Sequence, residues 1–273
     1  MDIQYIKKED YEEPAFPHCT KTGGGSVPMS RVTEKLDKYL ERKDFAAAEK
    51  HLDYWTAEAS AIGDKRGELN ILNETLTLMR RTQQKNKAYK AAERAEELIE
   101  ELQFGETVTA GTTYVNIATV LKSFDENLKA TEYYKKAEKI YKSILNADDA
   151  RLGGLYNNIA LAYADSGRFS EADTYYKKAV EIMKNVKNGE LETAITYLNM
   201  ANLCELQHGT ENGEAEISEL LEDAMKLLDT PTIPHDGYYA FVCEKCAPTF
   251  GYYGYFLYEN DLIKRAEKIY EVI

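Results

Sequence analysis

The sequence predicts an all-helical protein built from about six helix-turn-helix pairs stacked in a row. The pentapeptide Tyr133–Ala137 returns unchanged as Tyr175–Ala179, 42 residues later. Around both copies, apolar residues recur at intervals of three and four, which is the spacing of one helix face. Self-similarity at a fixed period of about 20–50 residues is typical of stacked repeat proteins rather than of one closed globule.

The repeat phase can be followed outward from this near-copy. Each second helix carries an alanine in phase, at Ala95, Ala137 and Ala179. The matching first helices carry Leu76, Ala118 and Ala160. Short breaks at residues 124–127 and 165–168 separate the two helices of a pair. The predicted pairs lie near residues 29–62, 69–102, 111–144, 153–186, 194–228 and 247–273, and together they form one array over 29–273.

Composition excludes several classes of protein. The formal net charge of −13 argues against nucleic acid or an anionic membrane as the main partner, because both attract Lys and Arg. No run of about 18 apolar residues is present, so no transmembrane helix is expected, and the start lacks the apolar stretch of a secretory signal. Four cysteines in 273 residues do not form a disulfide scaffold. The predicted location is the cytoplasm.

Residues 1–28 fall outside the repeats and are predicted to form an extended N-terminal arm. They contain three prolines and the run Gly23-Gly24-Gly25, which are typical of irregular chain. Three arrangements of this arm stay open: disorder, packing against the first pair, and binding in a groove as a tethered ligand.

The repeat pattern resembles a known family. The first helix reads small-x-x-large, followed by Gly/Asp-x-[Phe/Leu]-x-x-Ala and a closing Tyr-x-x-Ala, as in tetratricopeptide repeats. The usual unit has about 34 residues, and the eight additional residues are assigned as about one extra turn per helix. The longer unit and the pair Asn157-Asn158 are similar to kinesin-light-chain-type repeats. The resemblance implies a right-handed superhelical α-solenoid that binds a peptide or protein segment in its concave groove without catalysis.

Asparagines recur in register on the first helices. Asn116, Asn158 and Asn199 are spaced by 42 and 41 residues. Asn costs a few tenths of a kcal/mol or more against Ala in a helix interior. A carboxamide can pair with both the N–H and the C=O of an extended peptide, and in the families that this sequence resembles, first-helix asparagines grip bound peptides in this way. The alternative is that each Asn bonds the neighbouring helix and fixes the packing of the repeats.

The resemblance also places other side chains in the groove. The additional candidate peptide contacts are Asn73, Arg80, Arg81, Lys122, Asn157 and Asn202. With Val115, Thr119, Leu161, Asp165, Leu198 and Glu205, they form a lining that changes from basic to acidic and suits a polar peptide of mixed charge. A clamp on a terminal carboxylate is disfavoured, because Val115 and Asn157 stand where a lysine is expected. Arg80 and Arg81 are either a local anion site or solvated charges at a helix end.

No motif supports an enzyme or a cofactor. Cys243 and Cys246 form a lone CxxC, which could supply half of a zinc site with His18 and Cys19 supplying the rest, but no compact metal module surrounds them. Incidental helix cysteines are the simpler interpretation. A nucleophile elbow, a phosphate loop and a metal-ligand helix are also absent from the sequence.

Two alternative functions remain open beside peptide binding. The first is a self-associating structural module: the last predicted pair lacks a polar capping helix, so its C-terminal end could pack on another copy as a homodimer. The second is a peptide-sensing regulatory domain that acts through a separate partner.

Overall fold

The computed structural model describes residues 25–271, and all regular secondary structure in that range is α-helical. The chain divides into two compact units, Met1–Leu145 and Asn146–Ile273. Most of the predicted N-terminal arm, residues 1–24, lies outside the described residues, as do residues 272 and 273.

Unit 1 consists of three consecutive helical pairs over its described residues. The helices are α1 (Met29–Glu41), α2 (Phe45–Ile62), α3 (Lys65–Arg81), α4 (Lys85–Glu101), α5 (Val108–Ser123) and α6 (Asn127–Ile144). The two helices of each pair pack against each other, α2 packs against α3, and the first helix α3 also contacts the next first helix, α5. Contacts between neighbouring pairs give a stack its continuous core.

Unit 2 repeats this arrangement with one variation. Its helices are α7 (Ala150–Asp165), α8 (Phe169–Met183), α9 (Glu190–Leu228), α10 (Gly237–Tyr252) and α11 (Phe256–Tyr270). The helices α7 and α8 pack together, as do α10 and α11, and α9 contacts α7, α8 and α10. The variation is α9, in which both helices of the fifth predicted pair follow each other with a single non-helical residue between them.

The turns between the two helices of each pair share one backbone feature, which recurs with the repeat. Within the described residues, each of the six turns contains one residue with positive φ. These residues are Lys43, Gln83, Asp125, Gly167, Gly209 and Gly254. A residue with positive φ can end a helix within a short turn. The second helix of each pair therefore runs antiparallel to the first.

Helix starts are set by short polar side chains. Asp64 accepts a hydrogen bond from the Gly67 N–H at 2.9 Å, and Thr107 accepts one from the Ala110 N–H at 3.2 Å. At the start of α10, Asp236 accepts from two backbone N–H groups. Such caps satisfy donors that have no partner inside the helix, and each contributes typically about 1 kcal/mol.

Small residues and tyrosines interlock in the core. Ala118 and Ala137 are fully buried, and the buried Tyr134 ring reaches from α6 to α5, where its hydroxyl lies 3.1 Å from Thr119 Oγ1. The Tyr141 hydroxyl lies 2.8 Å from Thr112 Oγ1 on the same helix. Small residues let two backbones approach while the rings fill the space beside them. These tyrosines therefore belong to the core.

Gly209 reverses the chain inside α9. Its φ of 76° and ψ of 164° lie in a region that only glycine adopts readily. The Cys204 sulfur lies 3.9 Å from the carbonyl oxygen of Gly213, whereas nine residues of continuous helix would separate them by about 13 Å. The two halves of α9 therefore form a hairpin around one residue.

Replacing Gly209 with alanine is expected to lower the free energy of unfolding by about 1–2 kcal/mol, because a Cβ is unfavourable in this backbone conformation. Chemical denaturation followed by circular dichroism measures the loss. His208→Ala is the matched control, because His208 is an exposed neighbour, and it should leave the midpoint unchanged. Equal midpoints for the two variants would contradict the tight hairpin.

Candidate functional site

The asparagines of unit 1 bond across neighbouring repeats. Asn116 Nδ2 on α5 donates to Asn73 Oδ1 on α3 at 2.8 Å. Asn73, which is completely buried, donates in turn to the Leu69 carbonyl and to Thr113 Oγ1, both at 3.0 Å. The carboxamide of Asn73 therefore uses its oxygen and its nitrogen inside the protein, and Asn116 supplies the bond to its oxygen.

Unit 2 contains a second pair of the same kind. Asn199 Nδ2 on α9 donates to Asn157 Oδ1 on α7 at 3.1 Å. In both pairs the donor is one of the three in-register asparagines, Asn116 or Asn199. The acceptor lies on the preceding first helix, one residue before the position equivalent to the donor. The partner of Asn199 is thus Asn157 and not Asn158, which is the in-register asparagine of α7. Both hydrogen bonds join neighbouring first helices, which is the contact expected if these asparagines fix the packing of the repeats.

Asn158 differs from the other two members of the line. It is only 1% exposed, and its Oδ1 atom accepts no hydrogen bond from the described residues. A buried acceptor without a donor costs about 1–3 kcal/mol. The Asn158 oxygen is therefore a buried acceptor that the described residues leave unused.

Glu74 occupies the same repeat position in α3, and the sequence analysis missed it. It lies 42 residues before Asn116, so the repeat period itself contained the signal. The side chain is partly exposed, and the pKa of its carboxyl group is raised to about 7. The main cause is the loss of solvent around the carboxylate, and the negative charge of Asp37 on α1 adds to it.

A polar cluster joins α9 to α10 and consists of Asn202, Glu205, Tyr252 and Tyr253. The Tyr253 hydroxyl lies 3.1 Å from Asn202 Oδ1 and 3.0 Å from Glu205 Oε2. The Tyr252 hydroxyl donates to Glu205 Oε1 at 2.9 Å. Asn202 and Tyr252 are exposed. The sequence analysis proposed Asn202 and Glu205 but missed the two tyrosines, whose signal was the run 251–254, two aromatic residues between glycines.

The basic candidates of unit 1 have different surroundings. The Arg81 guanidinium lies 4.8 Å from the centre of the Phe45 ring on α2, and the side chain is exposed. Arg80 is partly exposed, whereas Lys122 on α5 is buried. The cation–π contact accounts for the position of Arg81 without a ligand.

The CxxC cysteines are buried on α10. Loss of solvent raises the pKa of the Cys243 thiol to about 11 and raises the pKa of Cys246 still further. Because the thiolate is both the nucleophile and the metal ligand, these raised pKa values disfavour both roles. The described residues contain no group of three or more His, Cys, Asp or Glu arranged for a metal ion. His18 and Cys19 lie outside the described residues.

Comparison with a protein family identifies the repeats. Residues 151–228, which contain α7, α8 and the α9 hairpin, match the family model described as Tetratricopeptide repeat. The two helical pairs within residues 151–228 therefore match tetratricopeptide repeats. Proteins of this family are generally non-catalytic. None of the curated proteins compared with the chain is a significant match.

Solved structures share this fold. BtubC (BKLC) from P. vanneervenii has a TM-score of 0.65 at 19% identity, and the match covers 76% of this chain and 83% of that one. A putative kinesin light chain from Podosopora anserina with nearly identical TPR-like repeats has a TM-score of 0.53 at 15% identity, with 74% and 94% covered. A Rap protein complexed with Competence and Sporulation Factor has a TM-score of 0.52 at 14% identity, with 87% and 73% covered. The all-helical tetratricopeptide fold, with repeats like those of kinesin light chains, is therefore confirmed.

Within the described residues, no helix is both long enough and apolar enough to cross a membrane.

Proposed function

We propose that this chain is a non-enzymatic scaffold that binds a peptide or a protein segment in extended conformation. The proposed binding surface lies on unit 2 and consists of α7, the first half of α9, and α10. The tetratricopeptide fold supports the binding role, and so does the Rap protein of the same fold, which was solved in complex with Competence and Sporulation Factor. The cytoplasm stays the predicted location.

The exposed carboxamide of Asn202 carries the proposal. Its oxygen lies within hydrogen-bond distance of the Tyr253 hydroxyl, and its Nδ2 group donates to no described residue. A carboxamide has two N–H donors, and both donors of Asn202 are available to a ligand. An extended peptide has a free backbone carbonyl at every residue, so Asn202 can bind it whatever its side chains are.

A neighbouring carboxylate complements this donor. Asn158 on α7 stays a proposed contact, and its buried Oδ1 atom has no described donor. The carboxylate of Glu205 lies beside Asn202. Burial acts to raise its pKa, but the hydrogen bonds from Thr210 and the two cluster tyrosines together lower the pKa below its ordinary value. A ligand with a Lys or Arg side chain next to the bonded carbonyl would fit this negative charge.

The other predicted contacts take supporting parts in the proposal. Asn157 and Asn199 bond each other and hold α7 and α9 in register. In unit 1, Asn73 and Asn116 do the same for α3 and α5. The exposed Arg81 and its neighbour Arg80 are the proposed contacts of unit 1 for an acidic ligand group. Lys122 is buried on α5 and takes no part in the proposed surface.

Replacing Asn202 with alanine is expected to weaken peptide binding about five- to thirtyfold, because loss of a directed hydrogen bond to a ligand costs about 1–2 kcal/mol. A random dodecapeptide array selects the probe, and fluorescence anisotropy of its tightest peptide measures the affinity. Tyr253→Phe should give a smaller loss, because Asn202 keeps both of its donors and loses only a neighbouring hydroxyl group.

Asn212→Ala provides the matched control. Asn212 is also exposed, but it lies on the second half of α9 and bonds only the His208 carbonyl. Melting temperatures of Asn202→Ala and Asn212→Ala should stay within about one degree of the parent chain, because substitutions of exposed residues change stability little. Equal affinity losses for Asn202→Ala and Asn212→Ala, or an array without any bound peptide, would refute the proposed site.

A further inference from the structure

A proline lies in the interior of α10. This helix spans Gly237–Tyr252 and contains Pro248, whereas the other described helices have no interior proline. Proline is the least favourable residue in a helix interior, because it lacks an N–H and its ring crowds the carbonyl group four residues earlier. Pro248 is exposed, so its ring does not fill the core. Packing inside unit 2 therefore does not explain why a proline stands at this position.

Pro248 leaves one backbone acceptor of α10 without its helical donor. In a continuous α-helix, the carbonyl of Glu244 accepts a hydrogen bond from the N–H of residue 248, and proline has no such group. Glu244 and Pro248 are both exposed. A backbone carbonyl at an exposed position takes its hydrogen bond from water or from a ligand. The Glu244 carbonyl is therefore an acceptor on the surface of α10.

Two tyrosines fix the register between α10 and the first half of α9. The Tyr238 hydroxyl donates to Glu192 Oε1 at 2.8 Å, and these residues are 46 apart in the chain. The Tyr252 hydroxyl donates to Glu205 Oε1 at 2.9 Å across 47 residues. Because the two separations are almost equal, the two helices run parallel with an offset of 46–47 residues.

This offset places Pro248 at the level of Asn202 on α9. Pro248 and Tyr252 are exposed and four residues apart, so they share one flank of α10. The bond from Tyr252 to Glu205 shows that this flank borders α9. The axes of packed helices are about 8–10 Å apart. The Asn202 donors and the Glu244 carbonyl therefore lie on neighbouring helices of unit 2 at nearly the same level.

We propose that the Glu244 carbonyl is a second anchor for the bound segment: it accepts from a backbone N–H of the ligand, while Asn202 donates to a backbone carbonyl. The inference rests on the binding role proposed above. An extended segment presents N–H and C=O groups along the same edge at alternate residues, about 7 Å apart. This spacing suits a donor and an acceptor on neighbouring helices. The ligand is thus an extended segment with a free N–H at the anchored residue, and proline is rejected there.

Pro248→Ala separates this anchor from a purely structural role of the proline. Alanine supplies the missing N–H, so the Glu244 carbonyl returns to the helical hydrogen bonds. The melting temperature is expected to rise by several degrees, while the affinity for the array-selected dodecapeptide falls about fivefold. Thr249→Ala is the matched control, because it also raises the helix propensity of α10 but adds no N–H. Its affinity should equal that of the parent chain.

N-methylation of the same dodecapeptide tests the bond from the side of the ligand. Each backbone N–H is methylated in turn, and fluorescence anisotropy measures the affinity for the parent chain and for Pro248→Ala. At one position the loss should be smaller on Pro248→Ala, because both changes remove the same hydrogen bond. Unchanged affinity of Pro248→Ala, or equal losses on both chains at every position, would overturn the Glu244 anchor and leave the Asn202 site standing. An array without any bound peptide would overturn both.

Discussion

Replacing Asn116 with alanine is expected to lower the free energy of unfolding by about 2–4 kcal/mol. The substitution removes the 2.8 Å bond to Asn73 and leaves the buried Asn73 oxygen without a donor. An orphaned buried acceptor costs about 1–3 kcal/mol, and the lost volume of a buried side chain adds to this cost. Chemical denaturation monitored by circular dichroism measures the change.

Two further variants make this result specific. In the double variant Asn73→Leu with Asn116→Leu, both partners are apolar, so the loss should be smaller than the sum of the two single losses by at least about 1 kcal/mol. Asn158→Ala, at the same repeat position, removes an oxygen that has no donor and should change stability by less than about 1 kcal/mol. Similar losses for Asn116→Ala and Asn158→Ala would show that the Asn73 pair is not what stabilises the repeats.

Replacing Glu74 with glutamine is expected to stabilise the protein by about 2 kcal/mol at pH 8. In the folded chain the pKa of Glu74 is raised to about 7, above its ordinary value of 4.5. The unfolded state therefore loses its proton first, and stability falls as the pH rises from about 4.5 to about 7. Above pH 7 the native carboxylate is charged at full cost, and a neutral glutamine of the same shape avoids that cost.

Denaturation midpoints measured between pH 4 and pH 8 test this expectation. Glu74→Gln should gain stability relative to the parent chain across that window and remain close to it at pH 4. Glu93→Gln, at an exposed position on α4, controls for the change in net charge. Because Asp37 adds to the shift, Asp37→Asn should move the decline in stability to lower pH. A constant difference between Glu74→Gln and the parent at every pH would contradict the raised pKa.

The repeat fold could be predicted from the sequence because its signals are local and periodic. Helical spacing, in-phase alanines and the breaks at 124–127 and 165–168 each depend on a short stretch of chain. The structure ends α5 at Ser123 and begins α6 at Asn127, and it ends α7 at Asp165 and begins α8 at Phe169. The hairpin at Gly209 is marked less clearly in the sequence, because a single non-helical glycine separates its two helices.

The candidate site depended more on tertiary contacts. The 42-residue period aligned Asn116, Asn158 and Asn199 as equivalent positions, but equivalent positions do not have equivalent neighbours. Asn116 and Asn199 each meet an asparagine of the preceding repeat, whereas Asn158 Oδ1 meets no described donor. Tyr253 reaches Asn202 from 51 residues further along the chain, and no local pattern specifies such a contact.

The sequence alone therefore determined the helical class, the family of the repeats and their period, since one short pattern recurs and each recurrence buries the same face. Only the tertiary structure decided which polar groups are already used. A hydrogen bond needs a donor and an acceptor within about 3 Å, and that distance depends on how α7, α9 and α10 pack. For this reason the in-register asparagines could be recognised in the sequence. The available donors of the exposed Asn202 and the raised pKa of Glu74 depend on packing and required the structure.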